Sequence, residues 1–310
     1  MSAGVLVTVA ALAACGSSSS SSSSGGSSSK SSGGGAMPGK GKPAITMGDK
    51  NFTEEFILGD LYSQALRAKG FTVNLKPNIG ASELVDKALT SGQIDMYPEY
   101  TGVILSVIAM QTRRPASEDA AYAAAQKFEQ GRGFTLLDKT PFFDADALAT
   151  LKPFADKNHL TTLGDLKKLS SFSLGAPPEN KTRYEGLVGM KEAYGITNVQ
   201  FTPLTIPLQY QALDKGSVDT ANVFTTDGQL QSGKYVILPD TKHIYGFQNI
   251  APMVSNKLLA REGPAFAQTL NAVSAKLTTH VMQQLNAAVV IDKVDAATVA
   301  SKFLKANGLT

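Results

Sequence analysis

Between residues 44 and 98 short β-type runs alternate with amphipathic helical runs, and this alternation restricts the fold more than any other feature of the chain. "AITMG" (44–48) reads as a strand and "TEEFILGDLYSQALRAKG" (53–70) as a helix, with Thr53 as its expected N-cap and Gly70 as its stop. "FTVNLKP" alternates as a second strand, "GASELVDKALTSG" forms a second capped helix, and "IDMYP" is a third strand. A βαβαβ rhythm of this kind requires a mostly parallel sheet covered by helices, because parallel neighbours need crossover connections. The third strand runs into "YPEYTG" (97–102), which places two tyrosines, a proline and a carboxylate where a core strand would simply stop.

A helical "SEDAAYAAAQKFEQGRG" and the apolar runs "FTLLD" and "ALATLKP" follow, and then a second set begins. "TTLGDLKKLS" is an expected helix with Thr162 and Asp165 at capping-box spacing. "FSLGAPP", the helix "YEGLVGMKEAYG", "VQFTPL", the helix "PLQYQALDKGS", "VDTANVF" and "YVILPD" complete the set. After "APMVS", three amphipathic helical stretches near 263–277, 278–289 and 295–307 end the chain. Two such sets, in a chain of 310 residues, predict two α/β lobes. Ligands of such folds bind at the C-terminal ends of strands, between the lobes, which puts "YPEYTG" beside the cleft.

The first residues have a different character. "MSAGVLVTVAALAAC" (1–15) is a short apolar run ending in small residues and Cys15, the chain's single cysteine. It is too short to span a bilayer and fits a secretory signal. "LAAC" resembles the lipobox of bacterial lipoproteins, so Cys15 is the expected lipidation site. Residues 16–43, mostly Ser and Gly, are expected to be a flexible tether, with the lipid as the sole membrane contact. The expected location is extracytoplasmic, on the outer face of the cell membrane.

Composition narrows function. A net charge of +3 with scattered Lys and Arg argues against nucleic-acid binding. One cysteine permits no internal disulfide and no cysteine-based metal site, and His159, His243 and His280 lie far apart. No GxSxG, P-loop or dinucleotide fingerprint occurs, so no catalytic residues, metal or cofactor are expected and an extracellular enzyme is the least favoured reading.

"GDKNFTEEFILGDLYSQAL", "IGASELVDKALTSGQIDMYPEYTG", "YEGLVGMKEAYG", "YQALDKGSVDTANVFTTDG" and "QNIAPMVSNKLL" occur in this order from about residue 44 to the C-terminus. Together they resemble the osmoprotectant-binding receptors of ABC importers, which serve glycine betaine, choline, carnitine and related quaternary amines. The resemblance implies an α/β, two-lobed type II periplasmic-binding-protein fold with the ligand cleft between lobes. The expected division is lobe 1 at 44–147 and 249–310 and lobe 2 at 148–248, the chain crossing near 146–151 and 246–252. It also implies a monomer that hands a small solute to a permease and its ATPase subunits.

A quaternary ammonium has no N–H to donate, so proteins hold it over aromatic faces, at about 0.5–2 kcal/mol per well-placed ring. Tyr100 matches the family's "YTG" tyrosine. Leu148, Phe224 and Gln248 stand at the other positions where the family carries aromatics, so the expected cage is depleted. Gln248 and Asn249 carry amides, which suits a ligand with hydrogen-bonding groups and keeps open a non-betaine, aromatic or amide-bearing solute. For an anionic ligand end, Lys50, Asn51 and Thr53 at the first helix N-terminus are expected contacts, with Arg183 from the other lobe. Thr101 and Thr225 flank the cage positions and Asp146 is a candidate to orient them. Tyr97 and Glu99 read as structural, Glu99 as a cap of the next helix, and Asp227 as a cage-orienting group or the closure of the "TTDG" turn.

Overall fold

The computed structural model describes residues 37–112, 114–206 and 208–310. Cys15 and the Ser/Gly tract through residue 36 lie outside the described residues, so the expected anchor and most of the tether do too. The last part of the expected tether belongs to the folded body. Gly39 N–H donates to the Lys69 carbonyl, and the Lys42 ammonium donates to the carbonyls of Arg261 and Glu262.

The expected alternation opens the chain: β1 (Ile45–Gly48), α1 (Thr53–Ala68), β2 (Val73–Lys76), α2 (Ser82–Thr90) and β3 (Met96–Tyr100). Thr53 is not the cap of α1. Phe52 holds that position in extended conformation without a side-chain cap, while Glu54 and Glu55 bring negative charge to the first turn. Gly70 follows α1 at φ +83°, a backbone conformation that favours glycine. β3 ends at Tyr100, and α3 (Thr101–Val103) continues into a π-helical turn at Ile104–Ile108. Gly102 permits this turn to lie against the chain crossing: a Cβ there would come within 2.6 Å of the Gln248 side chain and the Phe247 carbonyl.

α4 (Glu118–Gln130) and β4 (Phe134–Leu136) complete the first set. The second comprises β5 (Asp146–Leu151), α5 (Lys152–Asn158), β6 (Phe172–Ala176), α6 (Gly189–Tyr194), β7 (Val199–Pro203), α7 (Gln209–Asp214), β8 (Thr220–Phe224) and β9 (Tyr235–Leu238). The stretch after Thr162 is 3-10 rather than α-helical (Leu163–Lys168), although the Thr162–Asp165 capping box is present. The expected helix from Tyr184 begins as a π-helical turn, Tyr184–Val188, broken at Gly186 where Asn180 packs against the backbone. β10 (Ile250–Ser255) leads to α8 (Asn256–Glu262), α9 (Pro264–Ser274), α10 (Thr279–Val290) and α11 (Ala296–Ala306).

Two five-stranded sheets result, in the orders β2-β1-β3-β10-β4 and β7-β6-β8-β5-β9. In each sheet four strands run the same way, and one strand supplied by a chain crossing lies antiparallel to both its neighbours: β10 in the first, β5 in the second. We call each sheet with its helices a lobe. Asp146 and Ala147, expected to end lobe 1, are instead the first residues of β5 in lobe 2, paired with Phe224 and Val223.

β10 shows why lobe 1 is covered on both faces. Ile250 and Val254 enter the core with Leu58, Leu61, Phe266 and Leu270, whereas Ala251 and Met253 face Val85, Leu89 and Tyr97. α10 touches both lobes: Asn286 on it donates to the Thr226 carbonyl, and Ala287 packs where a Cβ on Gly228 would stand.

Candidate functional site

The parallel strands of the two lobes end around one cavity of about 570 Å³, part of it open to solvent. Lys50 and Phe52 follow β1, Tyr100 ends β3, Phe224 ends β8, and Asp146 begins β5 directly opposite Phe224. Ala81 and Ser82 at the N-terminus of α2, Asp144, Asn222 and Arg183 also line the cavity.

Lys50, Asn51, Tyr100, Asp146, Arg183, Phe224 and Gln248 line this cavity. Thr53, Thr101, Leu148, Thr225 and Asn249 are not brought to it. Thr53 faces a smaller neighbouring pocket beside Tyr210. Thr101 Oγ donates to the Phe247 carbonyl, and Thr225 Oγ accepts from Ala145 N–H. Leu148 shares a strand face with Asp146 but lies one pleat deeper, in the core with Leu163, Leu174, Leu238 and Tyr245. Asn249 is buried and donates to the carbonyls of Thr140 and Phe142, pinning the first chain crossing. Gln248 reaches the wall, but its amide bridges main chain: Oε1 accepts from Val103 N–H and Nε2 donates to the Tyr245 carbonyl.

The lobe 1 wall is internally paired. Lys50, 2 % exposed, donates to Glu99 at 2.5 Å and lies 3.7 Å from Glu55. Its ammonium sits 4.1 Å from the centre of the Tyr100 ring, so the protein's own cation uses that ring. Glu99 accepts from Lys50 and from Tyr100 N–H rather than capping the following helix as expected. Glu55, in the first turn of α1, accepts from Lys50 N–H in the turn that precedes the helix.

Phe52, which the sequence reasoning missed, is the third ring. It stacks on Phe224 across the lobes at 5.2 Å and 15°, and tilts toward Tyr100 at 6.1 Å. The signal was present in "KNFTE", an aromatic wedged between a charged turn and a helix start.

Behind the rings lies a buried carboxylate group. Glu54 accepts from Tyr100 OH, Thr226 Oγ and Asn286 Nδ2, thereby joining α1, α10 and the turn after β8. Burial, partly offset by these bonds, pushes its carboxyl up to about 7. Asp144 accepts from Thr226 N–H and is raised well above the ordinary range by burial and by Glu54 and Asp227. Asp227 accepts from Phe224 N–H and Tyr210 OH, and so closes the "TTDG" turn. On the lobe 2 wall, burial pushes Asp146 up to about 6, against a hydrogen bond from Asn222. Arg183 pairs with Glu83 of α2 at 2.7 Å, spanning the cleft mouth. Ser106 and Arg114 from lobe 1 both reach Glu185 in lobe 2.

A cavity lined by three rings, edged by carboxylates and divided between two lobes suits a small cationic or zwitterionic solute. Comparison with known proteins agrees with this geometry. The family described as the substrate binding domain of the ABC-type glycine betaine transport system matches residues 43–306. The glycine betaine-binding protein YehZ of Escherichia coli is 29% identical over 290 residues, covering 89% of this chain and 94% of that protein. A glycine-betaine-binding protein of Pseudomonas aeruginosa is 30% identical over 277 residues, covering 86% and 88%. Among solved structures, a glycine betaine/carnitine/choline ABC transporter crystal structure aligns with a TM-score of 0.69 at 26% identity, over 86% of this chain and 99% of that one. The fold is therefore that of the two-lobed periplasmic binding proteins, and the chain belongs to the family of substrate-binding domains of ABC-type glycine betaine transport systems.

Proposed function

We propose that the cavity captures a small methylated-ammonium solute of the glycine betaine, choline or carnitine type and presents it, between closed lobes, to the permease of an ABC importer. The observation that carries this reading is the convergence of Phe52, Tyr100 and Phe224 from both lobes beside Asp144 and Asp146. Rings hold a cation that cannot be hydrogen-bonded, and the carboxylates favour its charge. A ligand carboxylate is best served at the N-terminus of α2, where Ala81 and Ser82 line the cavity and helix geometry leaves the Ser82 N–H without an intrahelical partner. Phe52 supplies a ring that the positions of Leu148 and Gln248 do not.

Two sheets that meet through Phe52–Phe224, Arg183–Glu83 and Glu185 suggest a clamp in which ligand favours the closed arrangement. The lobe division we propose exchanges chains before Asp146 and before Ile250. Members of this family act outside the cytoplasm as transport receptors, and we read the chain as a binder rather than a catalyst. Lipidation at Cys15 and a monomeric state are part of the proposal. Retention of a Cys15→Ser variant in the membrane fraction would count against the anchor.

The test is a thermal-shift screen of the purified protein with glycine betaine, choline, carnitine and proline betaine, alongside uncharged aromatic solutes. A ligand in hundredfold excess over its dissociation constant raises stability by about 2.7 kcal/mol, easily seen as a melting shift. Stabilisation by one or more ammonium solutes supports the reading. Stabilisation by the uncharged aromatic solutes alone sinks it.

A further inference from the structure

Asn222 is out of place in its strand. β8 reads Thr-Ala-Asn-Val-Phe, and the neighbours Ala221 and Val223 are fully buried apolar residues. Asn222 is itself 2 % exposed, stands opposite Leu148 on β5, and lines the ligand cavity together with Asp146 and Phe224. Its Nδ2 donates to Asp146 Oδ1 at 2.8 Å. A carboxylate oxygen can only accept from an amide nitrogen, so this bond fixes which way the amide faces. Asn222 Oδ1 is consequently turned away from Asp146, and it has no hydrogen-bond partner among the described residues. Gln248, the amide contributed to the same wall by the second chain crossing, is different, because both of its polar atoms are engaged with main chain.

A buried acceptor left without a donor lowers fold stability, and an apolar side chain of similar size would remove that cost. Such a group in a ligand cavity is accounted for if the ligand completes it. A fully capped quaternary ammonium cannot do so through its nitrogen. We propose that Asn222 and Asp146 form a subsite that accepts a hydrogen bond from the ligand, so that the protein selects ammonium solutes carrying a donor group over fully capped ones of the same size. The subsite rests on the reading of the cavity as an ammonium site and adds to it the class of solute. Asp146 turns the Asn222 amide and lends its charge to the cation, while Asn222 Oδ1 reads the donor.

Choline and n-propyltrimethylammonium have nearly the same shape and charge, and differ by a hydroxyl in place of a methyl. Transfer to an apolar site favours the propyl compound, so a preference for choline isolates the hydrogen bond. A site built to hydrogen-bond a substrate group rejects the analogue lacking it strongly, because its own buried polar atom is then left unpaired. Calorimetric titration of the full-length protein is expected to show choline binding at least about tenfold tighter, and Asn222→Leu should bring the ratio to one or below while retaining the propyl compound. The wild-type comparison stands alone if the variant fails to fold, and Asn222→Ser, which shortens the reach of the acceptor, should give an intermediate ratio. Equal wild-type affinities, or an unchanged preference in Asn222→Leu, overturn the subsite while leaving the ammonium site intact. Binding of neither compound, with glycine betaine also silent, overturns the ammonium reading itself and the subsite with it.

Discussion

The two walls of the cavity contrast in the charges they carry: lobe 1 holds a buried ammonium among carboxylates, and lobe 2 a carboxylate beside an amide. In lobe 1, Lys50 is held between Glu55 and Glu99 and lies on the Tyr100 ring, whose hydroxyl donates to Glu54. In lobe 2, Asp146 opens to the cavity, Asn222 keeps an unpaired acceptor, and Phe224 stacks only by reaching across to Phe52. The lobe 1 wall buries one ammonium between two carboxylates, whose Glu55 Oε1 and Glu99 Oε2 make no hydrogen bond among the described residues, and the lobe 2 wall sets a carboxylate and an unpaired amide oxygen at the cavity. A receptor built this way positions its solute on the first wall and discriminates with the second.

The contrast breaks most visibly at Lys50. Lys50→Met leaves Glu55 and Glu99 buried without their cation, and chemical denaturation should show a loss of about 3–5 kcal/mol. Asp146→Asn, on the other wall, should leave stability nearly unchanged or raise it, since it removes a carboxylate that burial already disfavours. Comparable losses in the two variants would erase the distinction between the walls.

Tyr100→Phe sharpens it at the ring. The aromatic face remains, but Glu54 loses one of three donors, at a cost of about 1.5–3 kcal/mol in stability. Ligand affinity should change much less than stability, and a large loss of affinity with no loss of stability would show the hydroxyl facing the solute instead.

The pH dependence of cation binding is the next effect in size. Without ligand Asp146 ionises at about 6. A bound cation favours its ionised form, so affinity is full above that value and falls as pH drops through it, by up to about tenfold per unit. Asp146→Asn should remove this step near pH 6 in titrations of choline. A wild-type affinity independent of pH between about 5 and 7.5 would remove Asp146 from the cation's surroundings.

Arg183→Ala should have the smallest effect. Glu83 is half exposed, so the pair across the cleft mouth contributes roughly 0–1 kcal/mol, and less as salt is added.

Much of this arrangement is legible in the amino-acid sequence. The alternation of strands and helices from residue 44 forms β1, β2 and β3 of the first sheet, and the strand running into "YPEYTG" brings Tyr100 to the cavity wall. Leu148 was misread because one pleat of a strand, two residues, separates the cavity position of Asp146 from the core beneath it. Asn249 and the amide of Gln248 looked like ligand groups, but irregular crossing segments leave carbonyls and N–H groups that side-chain amides must satisfy. Asn222 carried a signal that went unused: a polar residue inside an apolar strand. The pairing of Lys50 with Glu99 could not be read, since it depends on long-range contacts between β1 and β3.

The central claim, a cation held by rings drawn from two lobes, is tested most directly by calorimetric titration of choline and glycine betaine into the wild type, Phe52→Ala and Phe224→Ala. Each truncation removes one ring and its buried area, and should weaken the solute that the wild type binds by about 1–3 kcal/mol, roughly five- to 150-fold. Tight wild-type binding that survives both truncations unchanged would contradict the account, since the two lobes would then not meet at the cation.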